Sequence, residues 1–192
     1  MMRTDYASDT GIFLIDTVIG LYTLVVMLRF LFQLTGADFY NPISQTVVKL
    51  SNPPLVRLRR VVPSLPGIDT AAVVLLLILE MCRIAGINLL SGHSPAIVGL
   101  VLLSVGELLK LAIYIIIFSI FIRAMLSWFS GAGSTPVLRL MHTFTEPMLK
   151  IFRRFLPVTG GLDFSPIAVF IVFMVVLKIV VQPLLDFGRA ML

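Results

Sequence analysis

A chain of 192 residues that is 58% hydrophobic and only 13% charged, with a mean hydropathy of +1.04, has too little polar surface to cover a water-soluble core. The net charge of +5 is spread over short stretches between apolar runs, a placement that fits membrane orientation or lipid contact better than nucleic acid. One cysteine, Cys82, excludes an intrachain disulfide.

Residues 1–10 are polar and acidic, lack the basic start of a secretory signal, and lead into a first span with no small-residue cleavage site after it. That span, Ile12–Leu34, is therefore expected to be retained. The second runs from Ala71 to Leu90, a longer apolar stretch from Ala96 to Phe129, and the last from Ile167 to Leu185. Each has the roughly 20 apolar residues that a helix needs to cross a bilayer. As one helix the third would be about 50 Å long, against a hydrocarbon core of about 30 Å. It is either a tilted, protruding helix or a short interfacial piece before a span near Gly106–Trp128.

Shifted by 94 residues, the sequence matches itself without gaps. Arg29 falls on Arg123, Pro42 on Pro136, Pro53 on Pro147, Leu55 on Leu149, and Arg59–Arg60 on Arg153–Arg154. Pro63 falls on Pro157, Gly67 on Gly161 and Asp69 on Asp163. Apolar matches between membrane helices arise from composition alone; a shared skeleton of Pro, Arg, Gly and Asp does not. Residues 1–95 and 96–192 are thus two copies of one unit, each a span, a connecting segment and a span.

Two spans per copy return the chain to its starting side, so the copies run parallel and their connecting segments share one face. Those segments carry Lys49, Arg57, Arg59, Arg60, Arg139, Lys150, Arg153 and Arg154, whereas the other face has Arg3 and Arg189. The positive-inside rule makes the segments cytoplasmic and both termini external. Between Pro42 and Arg60, and between Pro136 and Arg154, apolar and polar residues mix. This reads as an amphipathic helix at headgroup level, with a re-entrant hairpin as the rival, and Pro53–Pro54 and Pro147 are expected to bend or break it. The fold class is all-α membrane protein: four transmembrane helices in two tandem parallel repeats.

The segments FYNPISQTVVKLSNPPLVRLRRVVPSLPGIDTA and STPVLRLMHTFTEPMLKIFRRFLPVTGGLDFSPI resemble the paired signature of the YggT family of bacterial membrane proteins, over essentially the whole chain. The resemblance implies a multi-pass protein of the bacterial inner membrane with no attached enzymatic activity. It also implies kinship with cyanobacterial and chloroplast proteins, and links to osmotic tolerance, division or membrane organisation, and thylakoid cytochrome assembly. The second copy has GSTP where the first has FYNP, so a role for Phe39, Tyr40 or Asn41 need not be duplicated.

Arg59, Arg60, Arg153 and Arg154 either set orientation only or form a double clamp on anionic lipid headgroups, each contributing about 1 kcal/mol. Asp69 and Asp163 precede the second and fourth spans, where they can cap the helices or pair with the arginines. Within the spans, Glu80 and Arg83 stand three apart and Lys178 lies at the repeat position of Ile84. These three are expected to meet between the copies, as a structural ion pair or as an ion or proton path. Glu107 with Lys110, and Arg29 with Arg123, are read as snorkelling to the interface.

No P-loop, dinucleotide glycine fingerprint, GxSxG elbow or CxxCH is present, and His93 and His142 fall on opposite faces in this topology. The nine methionines lie mainly in apolar stretches and suit packing. The chain is therefore expected to be no enzyme and to hold no metal or cofactor. Its expected partners are membrane lipids and other membrane proteins, or further copies of itself, but not nucleic acid. The function expected is organising or assembling membrane components, with a small ion or solute transporter as the alternative. Single cysteines engineered near Ser64 and near Val158 should react with an impermeant reagent from the same side; reaction from opposite sides would end the parallel arrangement.

Overall fold

In the computed structural model the described residues are 6–63, 65–129, 135–155 and 163–192; Arg3, Ser64, Pro157, Val158 and Gly161 lie outside them. The described residues are helical, without a β-strand: α1 Tyr6–Thr35, α2 Pro42–Leu58, α3 Thr70–Leu90, α4 Ile97–Phe129, α5 Pro136–Arg153, α6 Ser165–Val176 and α7 Gln182–Ala190. A single π turn, Leu177–Val181, joins α6 to α7. Four helical stretches are long and apolar enough to cross a membrane: α1, α3, α4 and the continuous run α6–α7. Phe13, Val18, Ile171, Val175 and Ile179 are exposed on them, a surface that suits lipid and not water.

The chain reverses where the sequence allows a left-handed residue. Gly36 has φ +65° and Gly92 φ +79°. After α1, Ala37 N–H reaches back to Phe32 O and Gly36 N–H to Gln33 O, closing the orphan carbonyls. After α3, His93 N–H to Asn88 O and Gly92 N–H to Leu89 O do the same.

α4 is one unbroken helix from Ile97, so the interfacial-piece alternative for its start does not hold. Its N-terminal end has a partner along its length. A Cβ on Gly188 of α7 would lie 2.8 Å from Leu103 N, and one on Gly99 would lie 2.7 Å from the Met191 backbone. Only glycine permits that approach, which packs α4 on α7 backbone to backbone.

The prolines do not break the connecting helices either: α2 and α5 run through Pro53–Pro54 and Pro147. Proline at 54 removes the donor for Leu50 O, and the Tyr22 hydroxyl of α1 donates there at 3.4 Å. Ser44, Val47, Ser51 and Leu55 form one buried stripe on α2, as Leu140, Phe144 and Leu149 do on α5. One core joins these stripes to α1, α3 and α4 through Leu31, Phe32, Leu76, Ile116 and Ile120. A second, at the other end, packs Ile84, Leu100, Leu103, Ile113, Val181 and Leu185.

Candidate functional site

Arg29 does not snorkel: its Nη1 donates to Asn52 Oδ1 at 2.6 Å, Ser51 Oγ at 3.1 Å and Val48 O at 3.3 Å. Arg123, 94 positions later, donates to Thr145 Oγ1 at 2.9 Å and pairs with Glu146 Oε2 at 2.9 Å. Residues 51 and 52 are the repeat equivalents of 145 and 146. Each arginine therefore ties the first helix of its copy to the amphipathic helix folded over it, and the expectation of free side chains at the interface is corrected. The reason is coverage: α2 packs on α1 and α5 on α4, so water is replaced by side-chain and carbonyl acceptors.

The arginine pairs divide. Arg59 pairs with Asp69, and Arg153 Nη2 lies 2.7 Å from Asp163 Oδ2, the same spacing of ten residues in both copies. The aspartates also serve the helix starts: Asp69 Oδ1 accepts from Ala72 N–H at 3.3 Å, and Asp163 Oδ1 from Ser165 N–H at 2.9 Å. Capping and pairing are thus simultaneous at each carboxylate. Arg60 and Arg154 are exposed and have no side-chain partner among the described residues. Two of the four arginines are already neutralised. The exposed Lys49, Arg57, Arg139 and Lys150 of the same two helices are likewise without a side-chain partner among the described residues.

In the second copy the pairs fuse. Glu146 contacts Arg123 and, at 2.6 Å, Arg153, with His142 at 3.7 Å, so Arg123, Glu146, Arg153 and Asp163 form a chain from α4 through α5 to α6. Burial alone would raise the Glu146 carboxyl, but the Arg123 hydrogen bond and the charges of Arg123, Arg153 and His142 outweigh it and hold it below its usual value. At Asp163 burial is likewise outweighed, by Ser165 and Arg153, and the value falls. The hydrogen bond to Asp163 raises Arg153 against the opposing effect of burial.

Inside the spans, Arg83 donates to both Glu80 oxygens, at 3.1 and 3.2 Å through Nε, and also to Asp16 of α1. The Glu80 side chain is only 5% exposed, so its charge is held by this fork. Lys178 does not join them. It is exposed and without a partner among the described residues, because the π turn shifts the phase of the last span. Gln182 N–H bonds to Leu177 O, five residues back, and Pro183 follows. The stripe Val169, Phe173, Leu177, Val181, Leu185 then faces the bundle, with Lys178 one position off it. Instead Glu107 and Lys110, 3.2 Å apart, line one cavity of about 250 Å³ with Glu80, Arg83 and Thr23. Thr23 is 1% exposed, and its hydroxyl has no hydrogen-bond partner among the described residues. Asp16, Gly20 and Thr23 share a helix face at i, i+4 and i+7, a pattern in the sequence that signals this site.

The CCB3/YggT family model matches residues 8–90 and again 102–184, two stretches displaced by 94. A Pseudomonas aeruginosa protein described as uncharacterized is 36% identical over 179 residues, 92% of this chain and 91% of its own. The uncharacterized protein YggT of Escherichia coli K12 is 35% identical over 186 residues, 96% of each chain. YlmG homolog protein 2, chloroplastic, of Arabidopsis thaliana is 43% identical over 51 residues, 27% of this chain and 20% of its own. No solved structure matches.

Because the Glu146 value is depressed, its pairing stabilises the protein fully above the ordinary carboxyl range and is lost as pH falls through the folded value. Glu146→Gln should therefore flatten the acid limb of thermal stability in detergent. At neutral pH it should remove about 1 kcal/mol or less, as suits a half-exposed network. An unchanged acid limb would show that the chain of pairs contributes nothing.

Proposed function

The chain belongs to the CCB3/YggT family, and from that premise we propose that it is a non-catalytic, multi-pass protein of the bacterial inner membrane that organises or assembles membrane components, with a bearing on osmotic tolerance. In this reading α1, α3, α4 and α6–α7 cross the bilayer as two parallel repeats. α2 and α5 lie at the cytoplasmic headgroup level, and the termini are outside.

The observation that carries the reading is the joined pair of amphipathic helices. Asn41, the N-cap of α2, donates through Nδ2 to Pro136 O at the start of α5, at 2.6 Å. Asp38 N–H donates to Thr143 Oγ1 at 3.2 Å, and the Phe32 and Phe144 rings meet edge to face at 5.2 Å. Two helices so locked are one platform, with Arg60 and Arg154 among its exposed cations beside Lys49, Arg57, Arg139 and Lys150. Arg59 and Arg153, tied to aspartates, hold the platform to the span entries instead of reaching for lipid. A flat basic platform beside apolar spans suits gathering anionic lipid and neighbouring proteins.

Two surface arginines at about 1 kcal/mol each correspond to about thirtyfold in affinity. The double variant Arg60→Gln, Arg154→Gln should weaken binding of anionic phospholipid nanodisc rims by about that factor, measured as lipid enrichment around the reconstituted protein. Enrichment equal to wild type would remove the platform's role. The second reading, a small ion or solute transporter, is favoured by the charged cavity between α1, α3 and α4. Flux through reconstituted protein that Glu80→Gln abolishes would replace the first reading with it.

A further inference from the structure

A guanidinium taken out of water needs an opposite charge or a full set of acceptors, and the two copies meet that need differently. In the second copy Glu146 supplies a carboxylate 2.9 Å from Arg123. In the first copy the same repeat position is Asn52, which is neutral. Arg29 is 9% exposed, yet among the described residues no carboxylate lies within ion-pairing distance of it. Its hydrogen bonds all leave from Nη1 and end on uncharged oxygens, so Nε and Nη2 have no acceptor among the described residues.

A cavity of about 370 Å³ opens beside this arginine, lined by Arg29, Gln33 and Ser44 and walled by Phe32, Phe39 and Val48. Ser44 is 3% exposed, and its hydroxyl has no hydrogen-bond partner among the described residues. It sits in the first turn of α2, at the positive end of the helix dipole, which favours an anion. The second copy has Leu138 at the position of Ser44, so it carries its own carboxylate and lacks the hydroxyl. The unmatched cation, the idle hydroxyl and the space between them occur together in the first copy.

We propose that this cavity binds a phosphate-bearing anion, namely the phosphodiester of an anionic phospholipid. Arg29 and Ser44 hold its oxygens, and its glyceryl carbons lie against Phe32, Phe39 and Val48. The bound phosphate does for Arg29 what Glu146 does for Arg123. The proposal names a specific site within the lipid-binding reading and rests on that reading only for the source of the phosphate.

The test compares purified full-length protein with phosphatidylglycerol, phosphatidylcholine or inorganic phosphate added in detergent, and reads retained lipid by native mass spectrometry. Wild type should retain one phosphatidylglycerol in preference to phosphatidylcholine. Asn52→Glu, which copies the arrangement of the second repeat and so should keep the fold, should weaken that retention about tenfold or more. Ser44→Ala should weaken it less, and Arg60→Gln with Arg154→Gln should leave it in place. Full retention by Asn52→Glu would overturn the site, even if the surface double variant lost its lipid. Displacement of the lipid by an equal concentration of inorganic phosphate would overturn the lipid as occupant and assign the cavity to free phosphate.

Discussion

An arginine near the end of the first helix of each copy, reaching under an amphipathic helix to be satisfied there, is the contact from which the rest of the architecture follows. Arg29 and Arg123 cannot be left bare once α2 and α5 cover them, because a buried donor without an acceptor costs about 1–3 kcal/mol and a charged one more. The acceptors come from residues 51–52 and 145–146, in the middle of the covering helix, so each helix is held down at its centre. Its far end is then fixed by Arg59 to Asp69 or Arg153 to Asp163, which also starts the next helix. One short basic skeleton thus sets where the chain leaves one helix of a copy, crosses over its end and enters the next.

The copies share that skeleton and differ in what they do with charge. Thr135 caps α5 through Leu138 N–H alone, while Asn41 at the matching position caps α2 and also holds Pro136 O. Both a hydroxyl and a carboxamide can accept a cap bond, and the Asn41 carboxamide in addition donates across to the other helix. Asn41 thus adds one bridge between the copies to those of Asp38 with Thr143 and of Phe32 with Phe144. Divergence at 52 and 146 makes the second copy a continuous ion chain and leaves the first copy with a cation to spare.

Much of this is legible in the sequence, and the limits have identifiable causes. The four apolar stretches and the offset of 94 need only composition and identity, so they can be read directly. The pairing of Arg59 with Asp69 is suggested by a spacing that recurs at 153 and 163. Lys178 is misplaced because the repeat aligns it with Ile84, which is buried, and no local pattern announces the π turn beyond Pro183. The prolines of α2 look like breakers until Tyr22, 28 residues away, is seen to take up a freed carbonyl. Asp16 and Thr23 sit in an apolar run, and their importance depends on which helix lies opposite. In each case the missing information is a neighbour, not a propensity.

The charged cavity shows how such neighbours fix register. Paired ions in low dielectric contribute little net stability, because desolvation offsets their attraction, but an ion deprived of its partner there is strongly unfavourable. Glu80 is held by Arg83, and Arg83 also by Asp16, so sliding α3 by one turn against α1 would leave one of three charges alone. Glu107 and Lys110 pair with each other within α4 and line the same cavity at the seam between the copies. Apolar helices in lipid have many nearly equivalent ways to pack, since lipid tails are as apolar as leucine. Charges placed at the meeting point of three helices remove most of them, and the glycine contacts of α4 with α7 then need only close the end where α4 begins and α7 finishes.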